Sequence, residues 1–137
     1  MEVVNAVTPG PEQIAAFFGS GEDGPFVMIN LLKFKPHATY ADGSEPELSG
    51  REAYARYGAA VQACLAAVGG RQVYAGAVTG LMIGEVGELW DMAALVEYPS
   101  LAAMMQMIQS PEYQAIEKHR HAGLAGQLNI RTKQMGR

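Results

Sequence analysis

The stretch Phe26-Val27-Met28-Ile29-Asn30-Leu31-Leu32-Lys33-Phe34 decides the fold. It is rich in strand formers, bounded by Pro25 and Pro36, and too short for a self-standing helix, so it reads as the first β-strand. Side chains alternate across a strand, which puts Phe26, Met28, Leu32 and Phe34 on one face and Val27, Ile29 and Leu31 on the other. Both faces are apolar. Helices of the same chain can cover one of them, and the second needs a cover from outside, most simply another copy.

Working outward, Pro11 follows Gly10 as a good first helical residue, and Ile14, Phe17 and Phe18 recur at i, i+3, i+4 before Gly19-Ser20-Gly21. This predicts a short N-terminal helix. Lys35 to Leu48 carries Pro36, Pro46 and an Asp42-Gly43 turn signal, and reads as a long surface loop. Ser49 and Glu52 have capping-box spacing, and Tyr54, Tyr57, Gly58, Val61, Leu65 and Val68 then keep one helical face apolar up to Gly69-Gly70. Val73 to Ile83 is expected as a strand with Gly76 and Gly80 at bulges or close contacts, and Leu89 to Tyr98 as the next. Ser100 caps a helix bearing Leu101, Met104, Met105 and Ile108, Ser110-Pro111-Glu112 restarts it, and Leu128 to Gln134 closes as a strand. The order is α+β: a ferredoxin-like βαββαβ antiparallel sheet with helices on one face, plus the extra N-terminal helix. Residues 1–24 form a helical extension on this reading, and 25–137 the ferredoxin-like domain.

Composition narrows the function classes. The 137 residues are 49% hydrophobic and 18% charged, a balance that folds around one core without help from a metal or cofactor. A net charge of −4, with ten Lys and Arg scattered along the chain, argues against nucleic acid as a partner. The single cysteine, Cys64, excludes an internal disulfide and reads as packing. The start Met1-Glu2-Val3-Val4-Asn5 lacks a signal-peptide pattern and no apolar run approaches a bilayer span, so the expected place is the cytoplasm and not a membrane.

The strand Val27–Phe34, the Asp42-Gly43 loop, Ser49-Gly50-Arg51-Glu52-Ala53-Tyr54, Trp90-Asp91, Tyr98-Pro99-Ser100, and Ser110-Pro111-Glu112-Tyr113-Gln114 with His119-Arg120 together resemble a known family. From about Phe26 onward the chain is similar to the uncharacterised DUF family thirteen-thirty, within the dimeric α/β-barrel superfamily. The resemblance implies a ferredoxin-like fold in which two sheets pair into a barrel. It implies no single reaction, because the superfamily includes cofactor-free monooxygenases, haem-handling enzymes, lactone isomerases and proteins without known activity.

Six residues are candidates for a site. Asn30 is a lone amide on an apolar strand face, where a buried amide must find partners; its competing role is a satisfied structural amide. Asp91 shares a strand side with Glu97 and is a candidate base, against the alternative of cross-strand ion pairs with Lys33, Arg131 or Lys133. His119 is the second candidate catalytic group. Tyr57, Trp90 and Arg120 are candidate binding groups, Arg120 as a bidentate clamp for an anionic substrate. Tyr54 shares the helical face of Tyr57 and offers a second hydroxyl. Trp90 and Asp91 are chain neighbours and must point to opposite sides, so at most one can line a given pocket. His119 and His121 diverge on a helix and cannot share a metal ion, and Gly76, Gly80 and Gly84 do not form a phosphate loop.

The leading functional expectation is a small-molecule-binding homodimer, in its catalytic form a cofactor-independent enzyme acting on a small organic or aromatic acid. The alternative is a non-catalytic binding or structural homodimer. A haem-handling role would need His119 or His121 on a pocket face.

Overall fold

In the computed structural model, which describes residues 1–136, β1 (Phe26–Phe34) is central and pairs antiparallel on both sides. One neighbour is β3 (Met92–Tyr98), in register Met28↔Val96, Asn30↔Ala94 and Leu32↔Met92. The other is β4 (Leu124–Thr132), in register Asn30↔Asn129 and Leu32↔Gln127, with a bulge at Lys33/Phe34. β2 (Arg71–Ala77) adds to the far side of β3, giving the order β2-β3-β1-β4. This is the antiparallel ferredoxin-like sheet.

The helices lie on one face: α1 (Pro11–Phe18), α2 (Gly50–Ala67), α3 (Leu101–Gln109) and α4 (Pro111–Gly123). α2 starts where its capping box places it: the Ser49 hydroxyl accepts from Glu52 N–H at 3.0 Å, and the Glu52 carboxylate accepts from Ser49 N–H at 3.1 Å. It ends at Gly69, whose φ of 78° is the left-handed conformation that suits glycine. Ser110 serves two helices, donating to the Met107 carbonyl at the end of α3 and accepting from Tyr113 N–H at the start of α4. Between sheet and helices Phe26, Met28, Leu65, Tyr98, Met107 and Tyr113 form the main buried cluster. α1 joins it, with Phe17 edge-on to Phe26 and the Arg131 guanidinium 4.7 Å above the Phe17 ring.

α2 crosses α4 at glycines. Gly50 N–H donates to Lys35 O, and the Gly50 and Gly123 backbones approach so closely that a Cβ on either would strike the other's carbonyl oxygen. The N-terminal segment is tied to the far edge of β4: Ala6 bridges to Gln127, and Asn5 packs over Gly126.

Three strand limits differ from expectation. β2 begins at Arg71 and stops at Ala77 instead of running from Val73 to Ile83; Leu81, Met82 and Ile83 stand exposed in the connection to β3. β3 begins at Met92, after Asp91 has turned its carboxylate onto β1. β4 starts at Leu124, straight out of α4 without a loop, and ends at Thr132. The outer sheet face carries Val27, Ile29, Leu31, Leu95, Leu128 and Ile130, all partly or largely exposed, while Leu32 and Leu124 on the inner side are sealed at 0%. No helix among the described residues is long and apolar enough to cross a membrane.

Candidate functional site

A cavity of about 190 Å³ lies between α2 and the inner sheet face. β1 supplies Met28, Asn30 and Phe34; α2 supplies Arg51, Tyr54, Tyr57, Gly58 and Val61; β3 supplies Met92, Ala94, Val96 and Tyr98. The space exists because small residues stand where large ones would fill it. A Cβ built on Gly58 meets nothing within 4 Å, and the opposite wall at Ala94 is a single methyl.

The helical spacing of Tyr54 and Tyr57 brings both rings to this wall, 5.3 Å apart, and Tyr54 also lies 5.3 Å from Phe34. Tyr57 and Tyr113 share a hydrogen bond between their hydroxyls at 2.9 Å. The Tyr54 hydroxyl makes no hydrogen bond among the described residues and is not sealed, and Tyr54 lines the cavity. Burial pushes the Tyr54 phenol up to about 12 and raises Tyr57, Tyr98 and Tyr113 as well. These hydroxyls stay protonated at neutral pH, so they donate and accept hydrogen bonds without supplying an anion.

Asn30 lines the same cavity with its amide satisfied. Its Nδ2 donates to the Ala94 and Met28 carbonyls at 3.3 and 3.4 Å, and its Oδ1 accepts from Gln127 Nε2 at 2.8 Å. Gln127 Oε1 in turn accepts from Arg120 at 2.7 Å, and Arg120 also donates to the Val7 carbonyl at 2.6 Å. Arg120 therefore stands behind the cavity wall, holding Gln127, Asn30 and the N-terminal segment in one chain of hydrogen bonds.

The other three candidates sit elsewhere. Trp90 Nε1 donates to Asn5 Oδ1 at 2.8 Å, beside the N-terminal segment. Asp91 accepts from Phe34 N–H at 2.8 Å and lies 3.6 Å from Lys33, so it fixes the end of β1. Glu97 pairs with Arg71 instead of with the three expected bases. His119 Nδ1 is 2.7 Å from the Tyr40 hydroxyl, which ties the loop before α2 to α4. The structure thus brings Asn30 and Tyr57 to one cavity and Arg120 behind it, and separates Trp90, Asp91 and His119 from them.

Two residues of the site were missed. Gln127 is the buried polar side chain that links Arg120 to Asn30, and a Gln127, Asn129, Arg131 alternation marks its face once β4 is known to start at Leu124. Arg51 lies three residues before Tyr54 on the same helical face, a spacing that puts it at the cavity rim. Among the described residues no group of three or more His, Cys, Asp or Glu is placed to hold a metal ion.

His119 should make the stability pH-dependent. Partial burial, then the positive charges of Lys118 and Arg56, hold its imidazole below the ordinary 6.5. The unfolded chain therefore takes up the proton first, so the contribution of neutral His119 is present above pH 6.5 and is lost as pH falls below it. Urea midpoints at pH 7.5 and 5.5 should differ, the lower value at 5.5, and His119→Gln should shrink the difference. An undiminished difference in that variant would remove His119 as the cause.

The topology and the cavity between helices and sheet define a ferredoxin-like α+β protein. The chain belongs to the family described as Domain of unknown function (DUF1330), whose model matches residues 40–132. It is similar to RPA0582, a protein of unknown function from Rhodopseudomonas palustris, at 34% identity and TM-score 0.85, covering 98% of this chain and 100% of that one. The methylated form of RPA0582 is 36% identical at TM-score 0.86, with 98% of each chain covered. A candidate antibiotic biosynthesis monooxygenase from Caulobacter crescentus shares the fold alone, at 16% identity and TM-score 0.52 over 83% of this chain and 92% of its own. No curated protein matches the chain.

Proposed function

We propose that the chain binds a small organic molecule in the cavity between α2 and the sheet, and that it does so as a homodimer. The observation that carries the reading is a largely apolar cavity in whose wall Asn30, Tyr57 and Tyr54, with its unpaired hydroxyl, come together. Convergent polar groups in an apolar concavity are what orient a bound ligand. At about 190 Å³ the space is below the 300–1,000 Å³ of drug-sized sites, so the ligand is small. Binding fits the geometry better than proton abstraction. The lining residues include no carboxylate or imidazole, and the tyrosines are held protonated. Asp91 and His119 would have to act from outside the cavity. The homodimer rests on the uncovered outer face of the sheet.

Gly58→Leu tests the site, because it fills the cavity from a position where added atoms meet open space. Saturation-transfer NMR with benzyl alcohol and benzoate as probes should show transfer in the wild type and its loss in Gly58→Leu. Helix propensity favours leucine over glycine by roughly 0.5 to 1 kcal/mol, so the variant should melt no lower than the wild type. Equal transfer in both proteins would place binding outside this cavity.

A further inference from the structure

We propose that Arg51 is the anion-binding group of the cavity and that the ligand it selects is a small monocarboxylate with an apolar or aromatic body. The proposal rests on the cavity being a ligand site. Arg51 lines the rim, with its guanidinium carbon 4.9 Å above the Phe34 ring, and Phe34 is itself part of the wall against Tyr54. That seat holds the cationic fork over the opening.

The contrast with the other described arginines is the strongest observation. Arg56 makes a two-point contact with the Glu45 carboxylate, and Arg71 pairs with Glu97. Arg120 is occupied by the Val7 carbonyl and Gln127, and Arg131 by the Phe17 carbonyl and Ser20. Among the described residues Arg51 alone of the arginines makes neither an ion pair nor a hydrogen bond. Arg120, the clamp expected from sequence, is thus committed to the framework, and Arg51 keeps its donors free.

The cavity below complements one carboxylate. Met28, Val61, Met92 and Val96 make an apolar sleeve, and the free Tyr54 hydroxyl offers a second polar contact. A single guanidinium fork matches the two oxygens of a carboxylate. The volume holds about six waters at roughly 30 Å³ each, which limits the body to a ring or a short branched chain. In a protein of net charge −4, an anion is drawn only by a local cation of this kind.

The test compares benzoate with its neutral isostere benzamide by NMR titration of the full chain, in the wild type, Arg51→Gln and Gly58→Leu. Benzoate should bind the wild type at least about tenfold more tightly than benzamide, and Arg51→Gln should weaken benzoate about tenfold while leaving benzamide within about twofold. Arg51 is exposed, so its replacement should leave the melting temperature unchanged. If Arg51→Gln binds benzoate as the wild type does, or if benzamide binds equally well, the anion assignment is overturned while the cavity stands. If neither probe gives shifts that Gly58→Leu abolishes, both the assignment and the cavity reading fall.

Discussion

Gly50→Ala should lower the stability of this protein by about 3 kcal/mol or more, at the upper end of overpacking effects. The new Cβ would land on Lys35 O and lie 2.7 Å from Gly123 O and 2.8 Å from Lys35 N. All three are backbone atoms, so no side chain can rotate out of the way. Relief requires the start of α2 to move off both Lys35 and α4, which shifts Tyr54, whose own backbone N–H lies against Gly123. For a domain of this size the loss corresponds to a melting temperature lower by on the order of 10 °C. Gly58→Ala on the same helix is the control, since nothing lies within 4 Å of its added Cβ and helix propensity improves there. A thermal melt in which Gly50→Ala matches the wild type would show that the glycine crossing is not a constraint.

Leu31→Lys should convert the proposed homodimer into a folded monomer. Leu31 lies on the outer sheet face, opposite Ala93 on one side and Leu128 on the other, with the Ile29, Leu95 and Ile130 row beside it. An apolar patch of this kind is normally covered, and an unpaired lysine at its centre opposes burial by several kcal/mol, a weakening of at least about a hundredfold. Sedimentation at micromolar concentration should give twice the 14.6 kDa chain mass for the wild type and the single mass for Leu31→Lys. Circular dichroism should be unchanged, because the residue does not touch the inner core. A wild type that sediments as a well-folded monomer would overturn the homodimer.

Local signals in the sequence carried the fold. The limits of β1 coincide with the proline-bounded apolar run, and the Ser49/Glu52 box and Gly69 mark both ends of α2, because caps and breakers act through neighbouring backbone. What misled was burial. Leu81, Met82 and Ile83 have strand-like composition, yet nothing in their spacing tells a core strand from an exposed connection, and they stand outside the sheet. The start of β4 was hidden because α4 passes into it directly at Gly123, with no loop to announce the change.

The site was legible only in part, since its members meet through register. Tyr57 and Asn30 could be read as cavity-facing from helix and strand periods. Gln127 could be aligned with Leu32, next to Asn30, only once β1 and β4 were paired. For Asp91 the sequence left a base and an ion pair with Lys33 both open, and the folded chain takes the pair, with the N–H of Phe34 as a second partner. Whether an arginine is free is likewise a property of the folded chain, which is why Arg120 stood out in the sequence and Arg51 did not.

The docking of residues 5–7 along β4 gives the amino-terminal segment an optical reporter of its own. The sole tryptophan reaches across to Asn5 and takes no part in the cavity wall, whereas tyrosines ring the cavity. Indole emission therefore follows attachment of the amino-terminal strap, at a distance from Tyr54, Tyr57 and Tyr98 in the cavity wall. Because Arg120 grips both Val7 and the Gln127–Asn30 relay, the strap and the cavity wall at Asn30 share one line of hydrogen bonds. Peeling the strap away would be seen in the indole and would loosen the wall at Asn30 through Arg120 and Gln127.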